Sequence, residues 1–158
     1  MIDLQYKYSD GVYYLEGVID EHANLKTYTI APDQVIRWNL RGITLINSLG
    51  IRLMVRFIKE LGDASIEFYD CPTPFLEAAS IIPSLIGGPN SAHRVKSVFL
   101  PMRCKDHHQF NASVPVKDIS FDDGVAMPIF DCPTCKMPLD PNLELELEDL
   151  LSFLSEDS

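Results

Sequence analysis

The stretch Ile43-Thr44-Leu45-Ile46-Asn47-Ser48-Leu49-Gly50-Ile51-Arg52 decides how the chain folds, because an apolar run passes through a short polar loop into a segment of helical periodicity. β-Branched residues pack well on a pleated surface, so Ile43 to Ile46 predicts a buried strand. Ser48 is placed to cap the first free N–H groups of a helix, and Gly50 to let the backbone turn tightly. From Leu49 to Leu61 the apolar residues Met54, Ile58 and Leu61 recur at helical spacing, with Ile51, Leu53 and Val55 beside them, and Gly62 supplies a left-handed stop. A strand feeding a helix in this way presents the loop at a surface where another protein, or a kinase, can read it.

Outward from this stretch the pattern extends in both directions. Gln34 to Leu40 alternates Ile36, Trp38 and Leu40 with Arg37 and Asn39, which predicts a central strand, and Arg41-Gly42 reads as a turn into Ile43. Met1 to Tyr8 and Val12 to Val18, rich in Tyr, Val, Ile and Leu, flank the tight-turn signal Ser9-Asp10-Gly11 and predict an opening hairpin. Asp20 to Leu25 suits a short helix and Thr27 to Ile30 a strand, and propensity does not choose between them. Downstream, Ala64 to Tyr69 predicts a strand that Asp70-Cys71-Pro72-Thr73-Pro74 ends. Phe75 to Ile86 predicts an amphipathic helix kinked at Pro83, Gly87 to Asn90 a loop, and Val95 to Leu100 a final strand. The order ββ, then β-α-β-α-β, predicts an α/β fold: a small mixed sheet with crossover helices.

Composition narrows the function classes. The 158 residues suit one domain of about 100 residues with a small appendage. Hydrophobic residues at 46% and charged residues at 23% allow a sizeable core. No apolar run approaches the roughly 20 residues that span a bilayer, and the start lacks the layout of a signal peptide, so a cytoplasmic location is expected. A net charge of −10 argues against nucleic acid or an anionic membrane as partner, since both require Lys and Arg to neutralise phosphates. The charge is uneven: residues 1–98 carry 9 basic and 11 acidic side chains, residues 99–158 carry 4 and 12. That break predicts a division into a domain at 1–100 and an extension at 101–158.

The extension holds two pairs of metal-ligand residues, Cys104-x-x-His107 and Cys132-x-x-Cys135. Short spacing lets two side chains converge on one ion from a tight turn, and two such turns complete the tetrahedron that structural Zn2+ requires. His108 can replace His107 as the fourth ligand. With four protein ligands no position stays open for water, so the expected metal is structural, folding a zinc-ribbon-like module that is short of core. A redox pair is disfavoured because Asp131 adjoins Cys132 and nearby negative charge raises a thiol pKa. Cys71 reads as a buried thiol, and His22 and His93 as ordinary surface or loop residues. No Ser-His-Asp order, glycine-rich phosphate loop or paired-acid motif is present, so an enzyme is not expected.

The order of elements, with Val35 to Leu40 feeding Ile46-Asn47-Ser48-Leu49-Gly50-Ile51 and Asp70-Cys71-Pro72 preceding the second helix, resembles the STAS domain family of bacterial anti-sigma factor antagonists over residues 1–100. In that branch the loop usually reads Asp-Ser-Ser-Gly or Asp-Ser-Thr-Gly, and a partner kinase phosphorylates a hydroxyl in it to abolish binding. Here Ser48 matches the first hydroxyl and Gly50 the glycine, whereas Asn47 replaces the acid and Leu49 the second hydroxyl. The resemblance implies a non-enzymatic regulator that binds another protein, a kinase or an anti-sigma-like regulator, through Asn47, Ser48, Leu49 and Arg52. Ser48 is the one motif hydroxyl left to accept a phosphate. Two rival readings follow from the extension: a thiol or metal-dependent enzyme centred on Cys132 and Cys135, and an assembly protein whose acidic tail, Leu143 to Leu154, pairs between chains as a homo-oligomer.

Overall fold

In a computed structural model, which describes residues 3–25, 35–61, 64–86 and 94–155, the chain opens with an antiparallel hairpin of β1 (Gln5–Ser9) and β2 (Val12–Ile19). Asp10 and Gly11 lie at φ 51° and 82°, the left-handed conformation that a two-residue hairpin loop asks of both positions. Residues 20–25 form a turn closed by Ala23 N–H on the Asp20 carbonyl, with no helix. Thr27 to Ile30, Gly62, Gly87 to Asn90 and His93 lie outside the described residues.

β3 (Val35–Ile46) runs parallel to β2 as one strand of 12 residues, so the turn expected at Arg41-Gly42 is not there. Gly42 instead passes against β2: a Cβ at this position would lie 2.7 Å from Glu16 Cβ and 2.9 Å from the Leu15 carbonyl oxygen. In a strand, glycine serves such close approach as readily as it serves a turn. Helix α1 (Ser48–Glu60) then begins one residue earlier than a Ser48 cap requires. Asn47 is the cap, its extended backbone preceding the helix and its side-chain oxygen accepting the Gly50 N–H at 2.8 Å, an arrangement worth about 1 kcal/mol. Gly50 sits inside α1, not in a turn; a Cβ there would stand 2.0 Å from the Ile19 carbonyl oxygen, so glycine lets the helix start lie on the end of β2.

β4 (Ser65–Tyr69) follows, then α2 (Thr73–Ile81) with Pro74 in its first turn. The helix ends before Pro83 instead of kinking there, because proline offers no N–H and forces Ile82 out of helical geometry; Pro83–Ile86 forms a separate 3-10 turn. The final strand expected at Val95 to Leu100 divides into β5 (Arg94–Val95), parallel to β4, and β6 (Ser97–Arg103), which enters a second sheet. The first sheet therefore has the order β1-β2-β3-β4-β5, antiparallel at its first pair and parallel thereafter. Trp38 of β3 stacks on Phe57 of α1 with centroids 5.4 Å apart and meets Phe68 of β4 edge-on; Phe68 leans on Phe75 of α2 at 5.2 Å. Both helices thus cover one face of the sheet. The other face is polar, with Glu67 accepting from Arg37 at 3.1 Å and from the Tyr69 hydroxyl at 3.0 Å.

The second sheet is antiparallel, in the order β7-β6-β9-β8, from β7 (Gln109–Pro115), β8 (Phe130–Asp131) and β9 (Pro138–Pro141). The tail forms no strand from Leu143 to Glu146 but does form the short helix α3 (Leu147–Leu151), whose Leu150 and Leu151 are buried. Residue 100, where the charge break suggests a division, lies inside β6. One hydrophobic cluster runs from Trp38 and Phe68 through Leu100 and Met102 to Leu139 and Leu150.

A polar contact joins the two sheets at Asp70. This buried residue sits at φ 49° directly after β4, and its carboxylate accepts from Asn39 at 2.9 Å, from Arg41 Nη2 at 2.6 Å, from Ser97 at 3.2 Å and from Ser113 of β7. Arg41 also lies over the Phe99 ring, 4.7 Å from its centroid. Burial pushes the Asp70 carboxyl upward, yet the bonds from Ser113, Asn39 and Arg41 outweigh it and hold the group below its ordinary value.

Candidate metal centre

Two hairpins build the centre. β6 and β7 pair from Ser97↔Pro115 to Arg103↔Gln109, leaving Cys104 to His108 as their connection. Within it Cys104 N–H donates to the His108 carbonyl at 3.1 Å and His107 N–H to the Cys104 carbonyl at 3.0 Å. The second hairpin joins β8 to β9 through Cys132 to Met137, closed by Cys132 N–H on the Met137 carbonyl at 2.7 Å and Lys136 N–H on the Cys132 carbonyl at 2.8 Å. β9 pairs with β6 at Met102↔Pro141 and Arg103↔Asp140, which sets the two loops side by side.

Four donor atoms converge there, one each from Cys104, His108, Cys132 and Cys135, all within 4.8 Å of one another. Cys104 Sγ lies 3.3 Å and Cys132 Sγ 3.6 Å from His108 Nδ1, and the sulfurs of Cys135 and Cys104 are 3.6 Å apart. A tetrahedral site with metal–sulfur bonds of about 2.3 Å and a metal–nitrogen bond of about 2.0 Å has edges of about 3.8 Å between sulfurs and about 3.5 Å from sulfur to nitrogen. The observed separations match those edges and are far longer than a disulfide bond of about 2.05 Å. The donor set therefore fits one small tetrahedral cation.

His108 takes the place expected for His107. His107 sits at φ 66°, and this left-handed residue reverses the chain so that the following side chain returns toward Cys104 while His107 stays exposed. In the second loop the left-handed residue is Lys136, φ 64°, which follows both ligands, so the spacing there is two residues. The difference between C-x-x-C and C-x-x-x-H is the position of that reversal.

Cys132 and Cys135 shift each other in opposite directions. Cys132 is fully buried, which raises its thiol, but backbone N–H groups of Cys135 and Thr134 and the thiols of Cys135 and Cys104 bring it down to about 6. Cys135 is pushed up to about 11: the Met137 N–H lowers it, and burial with the neighbouring Cys132 and Cys104 sulfurs raises it more. Three sulfurs around one point resist ionising together unless a cation joins them. Cys71, by contrast, is buried at the foot of β6 and its thiol is raised, first by burial and then by Asp70.

No protein-family model, curated protein or solved structure matches the chain.

The residues expected to meet a partner lie at the start of α1. Ser48, Leu49 and Arg52 are exposed, Leu49 at 42%, whereas Asn47 is half-buried by its capping role. The Asn47 amide also donates to Glu21 at 3.2 Å, and Glu21's own backbone N–H together with that amide holds the Glu21 carboxyl below its usual value. Among the described residues, no helix is long and apolar enough to cross a membrane. Sequence reasoning missed the Asp70 contact entirely. A buried acid next to a proline-terminated strand was the available signal, but its four partners come from three other strands.

Proposed function

We propose that the chain is a cytoplasmic, bacterial, non-enzymatic regulator that binds a partner protein through the Asn47–Arg52 loop, in the manner of anti-sigma factor antagonists, and that Zn2+ cross-links its two C-terminal hairpins. The observation that carries the binding reading is the exposure of Ser48, Leu49 and Arg52 where β3 enters α1, with Asn47 taking the capping duty. An exposed leucine beside a cation and a hydroxyl is the composition of a small interface centre with a polar rim. The parallel order β2-β3-β4-β5 with helices between β3 and β5 agrees with a STAS-like sheet. Ser48, exposed at a helix start, is open to a kinase, and a phosphate there would gain from the helix dipole and be opposed by Glu21 nearby.

The donor set of three sulfurs and one nitrogen supports zinc, which supplies a rigid cross-link and leaves no position for water. Burial of Cys132 speaks for that structural role over thiol catalysis, which requires an accessible sulfur. The binding reading is tested by purifying the tagged chain from its native cells beside a Leu49→Asp/Arg52→Asp variant. Both changes fall on exposed positions of α1, and the acid at position 49 lies in its first turn, where it favours the helix. A partner recovered with the native chain should disappear with the variant while metal content stays the same; identical partners in both samples would refute the loop as the interface.

A further inference from the structure

At the carboxyl end of the parallel strands a groove of about 360 Å3 opens between β3, α2 and the chain after β9, floored by Leu45, Pro74, Pro101 and Leu143. Leu45 keeps 42% of its surface exposed although it belongs to the central sheet. Glu77 and Glu144 stand among its walls. A second depression, about 660 Å3, continues through Leu143 and Glu144 and adds Glu146, Glu148 and Asp149. None of the residues lining either depression is Lys or Arg. Glu148 and Asp149 serve α3, since acids in a first turn stabilise the helix. Glu77 and Glu144 have no such duty, and no salt bridge among the described residues engages them.

We propose that this groove docks a basic, amphipathic segment of a partner protein, with its aliphatic side chains on Leu45, Pro74 and Leu143 and its Lys or Arg side chains against Glu77, Glu144 and Glu146. Charge complementarity selects this occupant: residues 99–158 carry 12 acidic side chains against 4 basic ones. An acidic ligand is repelled, and a wholly apolar one would cover Glu77 and Glu144 without pairing them, at the cost of their hydration. Apolar anchors flanked by charges are how a groove holds a short helix. This surface adjoins the start of α1 through Ile46, but its contacts are Leu45, Pro74, Leu143 and the three glutamates, so it does not rest on the loop reading.

The test uses the full metal-loaded chain, labelled with nitrogen-15, and a synthetic peptide of about 12 residues with leucines on one helical face and lysines on the other. Saturable binding should move amide signals of Leu45, Ile46, Glu77, Asn142 and Glu144. Glu77→Lys/Glu144→Lys should weaken binding by at least about tenfold, and so should Leu45→Ser, at a strand position that keeps 42% of its surface exposed. Asp122→Lys/Asp123→Lys, with the same change in net charge outside the groove, should change affinity by no more than about twofold, as should Leu49→Asp. Shifts spread over the whole acidic surface, or equal losses in the Asp122/Asp123 variant, would reduce the effect to general charge attraction and overturn the proposal. A free chain that dimerises, and that Leu45→Ser returns to monomer, would make a second copy the occupant and overturn it as well.

Discussion

Asp70 is the residue on which the junction of the two sheets turns. Its carboxylate collects Asn39 and Arg41 from β3, Ser97 from β6 and Ser113 from β7, so protonating or removing it leaves the buried donors Asn39 and Ser97 without their acceptor and Arg41 without its counter-charge. Its pKa is lower in the folded chain than in the unfolded one. The stabilisation is therefore whole above the unfolded value of about 3.9 and drains away as pH falls through the lower folded value. Asp70→Asn should cost about 2 kcal/mol at neutral pH in urea unfolding, since one partner of a hydrogen-bonded charge pair is neutralised while Arg41 keeps access to water. That deficit should shrink below about pH 4, because the native carboxyl is then titrating too. Ligand thiols protonate in both proteins and cancel from the difference. A deficit that stays constant from about pH 7 to pH 3 would show that Asp70 acts by shape rather than charge.

At the scale of elements, what the sequence discloses is what depends on near neighbours. The β1–β2 hairpin is legible because Asp10-Gly11 is itself the left-handed pair its turn needs, and α1 because its apolar period is internal to it. Gly42 and Gly50 mislead for the opposite reason: each looks like a turn residue, and each is glycine because a strand distant in sequence passes within contact, Glu16 in one case and Ile19 in the other. The choice between His107 and His108 was hidden by a backbone reversal at His107 that residue type does not announce. Cys104, Cys132 and Cys135 were legible because short ligand spacings carry their own geometry. The Gly50 contact makes an element-level expectation. Gly50→Ala, a change that ordinarily favours a helix, should here destabilise the chain by more than about 3 kcal/mol, because α1 must lift from the end of β2 to admit a methyl group. Leu53→Ala, on a half-buried position of the same helix, supplies the comparison. A Gly50→Ala melting curve equal to the native one would mean that α1 does not sit on Ile19.

The described residues of both sheets share one hydrophobic cluster, and this decides what the proposed metal would do for the molecule. Cys104 and Cys132 belong to the same hydrophobic cluster as Trp38, Leu100 and Leu150, and β6 carries the chain from the first sheet into the hairpins of the Cys/His cluster without a linker. A metal site on a separate appendage would, when emptied, melt that appendage alone. Here the emptied cluster would leave mutually repelling sulfurs inside a wall of the common core, so the loss is felt by β3 and α2 as well. Removing the metal with a strong chelator should therefore lower the single melting transition of the chain by about 10 °C, followed both by near-ultraviolet signal from Trp38 and by far-ultraviolet signal. Native mass spectrometry should find one zinc per chain, retained in His107→Ala and lost in His108→Ala and Cys135→Ser, with the two loss variants melting like the chelated protein. Separate transitions, with the Trp38 signal indifferent to the chelator, would divide the chain at β6 into two units and confine the metal to the second.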